Sequence, residues 1–275
     1  MQPEEIVSSI EARSRKLYTP CGEGRMVWRI WGSGAPLVFI HGGAGSWTHW
    51  IRNIPEFEKE RMVIAADLPG LGDSDAPPKP YTPESIAQIA ADGLLQILPH
   101  GQTFDLAGFS FGGMISGIMA SLCGDRVRTL TLMGPSGLGG TFGNIGVPRK
   151  LPMGGTPQQN AEVHWHNLKA IMLHHPEDID DLAMYLQSIN APRTRILSPE
   201  HALSEKMLNA LPRVSARVAS IWGEHDISSP HLEHRRKAIS AVHPDAAFHI
   251  VPDTGHWVQY EAAALTNELL RKLIA

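Results

Sequence analysis

Short apolar runs rich in β-branched and aromatic residues recur along this chain, separated by stretches whose apolar positions fall three and four residues apart. Met26 to Trp31, Pro36 to Ile40, Met62 to Ala66, Phe104 to Phe109, Val127 to Met133, Val218 to Trp222 and Phe248 to Val251 read as strands. The run PLVFI at Pro36 to Ile40 is apolar throughout, as a strand buried on both faces must be. Between strands, Thr82 reads as an N-cap with Pro83 at the first helical position and Glu84 at the positive helix end. Ile86, Ile89, Ala90 and Ile97 then share one helical face, and Pro99 stops the run. Glu261 to Ile274 repeats that logic with Leu265, Leu269 and Leu273. Strands alternating with helices predict an α/β fold, a mainly parallel sheet covered by helices.

The alternation fails once. From Ser136 to about Leu211 no strand is legible, only a glycine-rich entry (SGLGGTFGNIG) and three helical stretches, Ala161 to Leu173, Glu177 to Ile189 and Pro199 to Leu211. The pattern predicts a core formed by 1–135 and 212–275, with 136–211 inserted as a helical cap. A cap there would cover the carboxyl ends of the strands, where open parallel sheets bind ligands.

Composition narrows the function classes. The 275 residues are 43% hydrophobic and 19% charged with a net charge of −4, a balance ordinary for a globular chain. Basic and acidic residues are interspersed, so no nucleic-acid footprint or polybasic membrane anchor is expected. The opening MQPEEIVSSIEARSRKL is polar and acidic, unlike a signal peptide, and no run reaches the length of a membrane span; a cytoplasmic location is the expectation. Cys21 and Cys123 are too few for a disulfide framework. Self-association into a homo-oligomer is left open.

The strongest chemical signal is Gly108-Phe109-Ser110-Phe111-Gly112-Gly113, between the apolar run FDLA and the helical run MISGIMASL. That is the strand–turn–helix setting of a G-x-S-x-G nucleophile elbow, a turn too tight for side chains at Gly108 and Gly112. Ser110 would stand at a helix N-terminus, where backbone N–H groups meet developing negative charge. A nucleophilic serine needs a base, and the base an orienting acid. SIWGEHD places Asp226, and VPDTGH places His256, each just beyond a strand and in the chain order Ser, Asp, His. Glu224 and Asp253 are the competing acids. After PLVFI, His41-Gly42-Gly43-Ala44-Gly45 can bend so that the Gly43 N–H joins that of Phe111 in an oxyanion hole, with His41 bracing the loop. Trp47, Trp50, Phe109, Phe111 and Trp257 adjoin these motifs and suggest a largely apolar pocket. Fourteen histidines invite a metal reading, but His164, His166, His174 and His175 lack a recognisable ligand motif, so they are read as solvated and no metal is expected.

Together HGGAG, DLPGLGDSD (Asp67 to Asp75), GFSFGG, WGEHD and TGHW resemble the α/β-hydrolase family, in its motif order from Ile40 to Val258. The resemblance implies an eight-stranded, mostly parallel sheet, a cap after the sixth strand, and a structural duty for the Asp67 to Asp75 loop. LMGPSGLG (Leu132 to Gly139) and GHWVQYE (Gly255 to Glu261) are similar to segments of the meta-cleavage-product hydrolases, which split carbon–carbon bonds in ring-opened aromatics. Phe109 and His49 stand where those enzymes often carry asparagine, and their cap arginine would correspond to Arg193 or Arg195. The reading is a capped serine hydrolase with Ser110, Asp226 and His256 as triad, Gly43 and Phe111 as oxyanion hole, and Trp47, His49, Trp50, Phe109, Arg193 and Trp257 around a small-molecule substrate. A small apolar ester or related acyl compound is expected, with no cofactor. The alternatives are a carbon–carbon bond hydrolase and a non-catalytic receptor on the same fold.

Overall fold

A computed structural model describes residues 1–140, 147–229 and 231–275. Eight strands form one sheet: β1 (Arg15–Cys21), β2 (Gly24–Trp31), β3 (Pro36–Ile40), β4 (Met62–Asp67), β5 (Phe104–Phe109), β6 (Val127–Met133), β7 (Arg217–Gly223) and β8 (Ala247–Val251). Their order is β1-β2-β4-β3-β5-β6-β7-β8. β2 runs antiparallel to both β1 and β4, and every other pairing is parallel. The expected eight-stranded, mostly parallel sheet is therefore present. β3 and β5 at its centre are buried at every position, the signature of strands covered on both faces. Two apolar cores result, one on each side of the sheet. Val38, Ile64, Leu106 and Leu130 face the helices Pro83–Ile97 and Phe111–Cys123; Phe39, Val63, Ala107 and Ile221 face the other side. No described helix is long and apolar enough to cross a membrane.

The helix Pro83–Ile97 starts as the sequence predicts, at an N-capping Thr82, but its reciprocal partner is Ser85: each hydroxyl accepts from the other residue's N–H. Among the elements not anticipated are β1 and the helices Pro3–Ala12, Ile54–Phe57 and Leu232–Ser240. Between β6 and β7 the described chain carries helices Pro157–Asn167, Asp181–Asn190 and Lys206–Ala210 with short turns, and no strand. The continuous helix expected over 199–211 is broken into turns around Lys206–Ala210. Its backbone groups are used otherwise: Gly137 O accepts from both Met207 and Leu208 N–H, and Gly137 N–H donates to Ala202 O. The glycine-rich entry is thereby stitched to the segment's exit. Part of that entry, 141–146, lies outside the described residues.

β3, β5, β7 and β8 all run the same way. The loops that leave their carboxyl ends therefore gather at one edge of the sheet. Those loops carry Gly43, Ser110, Asp226 and His256.

Candidate active site

β5 ends at Phe109, and the helix Phe111–Cys123 begins one residue beyond Ser110. So abrupt a reversal puts Ser110 at φ 55° and ψ −119°. A non-glycine residue held there stores on the order of 1–3 kcal/mol of strain, which the surrounding packing must offset. The flanking glycines make the turn feasible. A Cβ on Gly108 would collide with Ser116 Oγ and Gly112 O, and one on Gly112 with the His41 carbonyl. Backbone bonds secure the turn: Ser110 N–H donates to Met133 O at 2.9 Å, and Ser136 N–H to Ser110 O at 3.1 Å.

Ser110, His256 and Asp226 converge. Ser110 Oγ lies 2.9 Å from His256 Nε2, and His256 Nδ1 lies 2.9 Å from Asp226 Oδ2. The carboxylate selects the tautomer: Nδ1–H donates to Asp226, which leaves Nε2 to accept from the serine hydroxyl. Asp226 and His256 are buried while Ser110 is part exposed, so the imidazole is shielded and the hydroxyl remains reachable. Asp226 is itself held. Its Oδ1 accepts from the Ser228 N–H at 2.9 Å and hydroxyl at 2.6 Å, an Asx-turn two residues long.

Neither competing acid is placed to serve His256. Glu224 accepts from Asp253 N–H at 2.9 Å, and Asp253 turns its carboxylate to His175, 3.1 Å away. Burial pushes both cysteine thiols up, that of Cys123 to about 11, which disfavours the thiolate a nucleophile needs.

Gly43 lies beside Phe111: a Cβ built on Gly43 would stand 3.8 Å from Phe111 Cβ and against the Ser198 hydroxyl. The first N–H groups of the helix Phe111–Cys123 have no acceptor within it. Gly42 N–H is already taken by His49 Nδ1 at 3.2 Å. His41 braces the loop as expected. Its Nδ1 donates to Gly42 O at 2.7 Å and its Nε2 accepts from Leu68 N–H at 2.9 Å. The Asp67 to Asp75 loop is held by its own ion pairs, Asp67 Oδ2 with buried Arg29 at 2.9 Å, and Asp67 Oδ1 accepts from Trp47 N–H at 2.8 Å.

Of the six side chains expected around a substrate, three come to the triad. The Phe109 ring centroid is 4.9 Å from that of His256 and 5.5 Å from that of His49. Trp257 packs 5.0 Å from His49 and donates its Nε1–H to His49 O at 3.0 Å. Burial pushes the His49 imidazole well below its ordinary pKa, helped by His41 and His256, so it is neutral. The other three are engaged elsewhere. Trp50 stacks on Phe39 at 4.4 Å in the core, and Trp47 packs on Trp31 at 5.3 Å. Arg193 pairs with Asp73 at 3.0 Å, half exposed, and Arg195 donates to the carbonyls of Gly72 and Ser74. Trp47 and Arg193 border a separate surface cavity of about 450 Å³ lined by Glu4, Glu5, Glu11 and Tyr185.

Three side chains at the site went unread. Ser228 could have been found from its place two residues after the acid. Nothing local marks Ser198, which reaches Gly43 from the helical segment. Glu261 accepts from Gly255, His174 and His175 N–H groups at 2.6, 2.8 and 3.0 Å, and so fastens the His256 loop to the helical segment.

Residues 35–263 match the family described as alpha/beta hydrolase fold. The chain belongs to that family. Among its relatives is a 2-hydroxy-6-oxononadienedioate/2-hydroxy-6-oxononatrienedioate hydrolase of Comamonas testosteroni, 30% identical over 89% of each chain. A 2-hydroxy-6-oxo-6-phenylhexa-2,4-dienoate hydrolase of Burkholderia cepacia is 29% identical over the same shares. Among solved structures, a carboxylesterase of Bacillus subtilis superposes with a TM-score of 0.76 at 18% identity, over 99% of this chain and 95% of that one. A meta-cleavage product hydrolase of Pseudomonas fluorescens gives 0.72 at 20% identity, over 94% and 97%. The α/β hydrolase is thus an enzyme of a family whose members include both esterases and carbon–carbon bond hydrolases.

Proposed function

We propose that this α/β hydrolase is a capped serine hydrolase that cleaves a small, mostly apolar carboxylic ester or a related acyl substrate through an acyl-enzyme. The observation that carries the reading is the unbroken relay from Ser110 Oγ through His256 to Asp226, each link 2.9 Å. His256 Nε2 takes the hydroxyl proton as Ser110 Oγ bonds to the substrate carbonyl carbon. Asp226 stabilises the imidazolium, and the Gly43 and Phe111 N–H groups receive the oxyanion. Collapse of the tetrahedral intermediate breaks the bond to the leaving alcohol, which takes the proton from His256. Water then attacks the acyl-serine with His256 as base, and the acid leaves as Ser110 recovers its proton. The chain between β6 and β7, with the helices Pro157–Asn167, Asp181–Asn190 and Lys206–Ala210, acts as the cap.

Substrate class follows from charge. Phe109 and neutral His49 stand beside the triad, and Arg193 and Arg195, the arginines that the resemblance offers for an anionic substrate, are committed to Asp73, Gly72 and Ser74. A carboxylate brought into such a wall would lose hydration without an ionic partner. A second reading, hydrolysis of a carbon–carbon bond in a ring-opened dienoate, is supported by the relatives at 30% and 29% identity. The deciding experiment compares kcat/KM for a short-chain aryl ester and for a ring-opened aromatic dienoate. Ester preference is expected. A preference of about a hundredfold for the dienoate, about 2.7 kcal/mol of transition-state binding, would overturn the ester assignment in favour of the second reading. Turnover of neither, with ligand binding intact, would favour the receptor.

A further inference from the structure

Away from the triad, on the outer rim where the cap meets the sheet, three histidines surround one carboxylate. Asp253 Oδ1 lies 3.8 Å from His174 Nε2, 3.8 Å from His225 Nε2 and 3.1 Å from His175 Nε2. The donor atoms of His174, His225 and Asp253 are all within 4.8 Å of one another. The His174 and His225 rings stack at 3.9 Å, and His174 and His175 meet edge to face at 4.6 Å. An ion pair would need one imidazole; here three are gathered.

The backbones that bear them are tied down independently of the side chains. Glu261 accepts from the His174 and His175 N–H groups, His225 N–H donates to Thr254 O at 2.9 Å, and Asp253 N–H donates to Glu224 at 2.9 Å. Asp253 itself sits at φ 54°, a left-handed conformation that turns its carboxylate toward the imidazoles. Nearby acids favour a cation: Glu177 Oε1 is 3.7 Å from His175, and Glu261 accepts from His174 N–H, while Lys169, which donates to His174 O, opposes it.

We propose that His174, His225 and Asp253, with His175 at the fourth position, bind a divalent zinc-like cation that clasps the cap to the core. Imidazole nitrogen with one carboxylate oxygen is a zinc donor set, whereas calcium and magnesium prefer oxygen throughout. Bonds of about 2.0–2.2 Å to a tetrahedral ion place donors about 3.4 Å apart. The donors of His174, His225 and Asp253, within 4.8 Å of one another, close on the metal by side-chain rotation, and His175, whose Nε2 now lies 3.2 Å from Asp253 O, turns further to complete the set. Four protein donors leave no open coordination position, which makes the ion a clasp and not a second reaction centre. Two ligands come from the cap and two from the loops that carry Asp226 and His256. The ion would therefore resist movement of the cap away from the acid and base.

The test is calorimetric titration of the chelator-stripped full chain with zinc chloride, alongside thermal unfolding. One saturable equivalent is expected, with a melting temperature raised by on the order of 5 °C at about a hundredfold excess over Kd. His225→Ala and Asp253→Asn should each weaken uptake by at least about tenfold and cancel the shift, with unchanged circular dichroism. His166→Ala, in the helix Pro157–Asn167 where the imidazole Nε2 meets Val147 O and none of the cluster, should leave both intact. No saturable uptake, or uptake undiminished in His225→Ala and Asp253→Asn, would overturn the proposal.

Discussion

Replacing His49 by asparagine removes an imidazole that the fold keeps neutral, and the consequence is readable in the pH dependence of stability. The His49 ring is buried between Phe109 and Trp257, and its Nδ1 accepts from Gly42 N–H. Desolvation, with His41 and His256 near, holds its pKa well below 6.5. In the unfolded chain the same group titrates near about 6.5. Between those two values the unfolded state binds a proton that the native state refuses, so stability falls as pH falls. The contribution is complete above about pH 7 and is lost at about 1.4 kcal/mol per unit below about pH 6.5. His41 acts in the same direction, because burial lowers its pKa and both of its nitrogens are already committed. It remains in the variant, so the slope should shrink and not vanish. Glu11 and Asp73 lie below their ordinary values: desolvation, which raises them, is outweighed at Glu11 by hydrogen bonds from Lys16 and Arg29 and at Asp73 by the charge and hydrogen bond of Arg29, with Arg193 adding. Their contribution is lost only below about pH 4.5, outside the histidine window.

The assay is urea unfolding of wild type and His49→Asn at about pH 7.5 and about pH 5.5. The cavity left by the smaller side chain lowers stability equally at both, so the difference between pH values isolates the proton. Wild type should lose about 1.4 kcal/mol more than the variant over that interval. Parallel losses in the two proteins would refute the claim that His49 is held neutral.

Three further outcomes are expected. Ser110→Ala should keep the fold and lower kcat on an aryl ester by on the order of 10⁶, and retention of more than a hundredth of the rate would remove Ser110 from the nucleophile's role. Asp226→Asn should lower kcat by about 10⁴ while Glu224→Gln, whose carboxylate serves only the Asp253 N–H in the described contacts, stays within a few-fold of wild type; the reverse ranking would reassign the acid. Asp67→Ala should destabilise by about 3–5 kcal/mol, measured by urea midpoint, because it strands the buried Arg29 guanidinium and frees the Trp47 N–H; a loss under about 1 kcal/mol would mean that Glu11 and Asp73 suffice for Arg29.

β3 was legible because burial on both faces leaves an uninterrupted apolar run, and β5 and β6 kept their expected bounds although Asp105, Arg128, Thr129 and Thr131 interrupt theirs. β1 was not, for the converse reason. It lies at the sheet edge, its first residues Arg15 and Lys16 face solvent, and Pro20 interrupts it, so no apolar period marks it. The helices between β6 and β7 were placed but misbounded. Thr156-Pro157-Gln158-Gln159 is a capping box that starts the first helix at Pro157, four residues ahead of the apolar signal. The stretch expected as the third helix instead bonds its backbone to Gly137, a long-range choice that helical periodicity does not encode.

The residues of the proposed relay were legible because each is pinned by something local. Ser110 is forced by a turn that only glycines can flank, and Asp226 and His256 follow parallel strands whose ends must share an edge. Neighbourhood in sequence was a poor guide to the substrate wall. Trp47 to Trp50 is one 3-10 turn, in which residues three apart eclipse. Trp47 and Trp50 therefore share a face, and that face is the core, where Trp31 and Phe39 receive them. His49 points off that face, toward Gly42, Phe109 and Trp257. The same logic separates Arg193 from the site and joins His174 to Asp253, since both outcomes depend on partners more than 70 residues away in sequence. Motifs set by backbone geometry survive translation from sequence to site; roles that depend on which way a side chain turns need the helix type and the distant partner first.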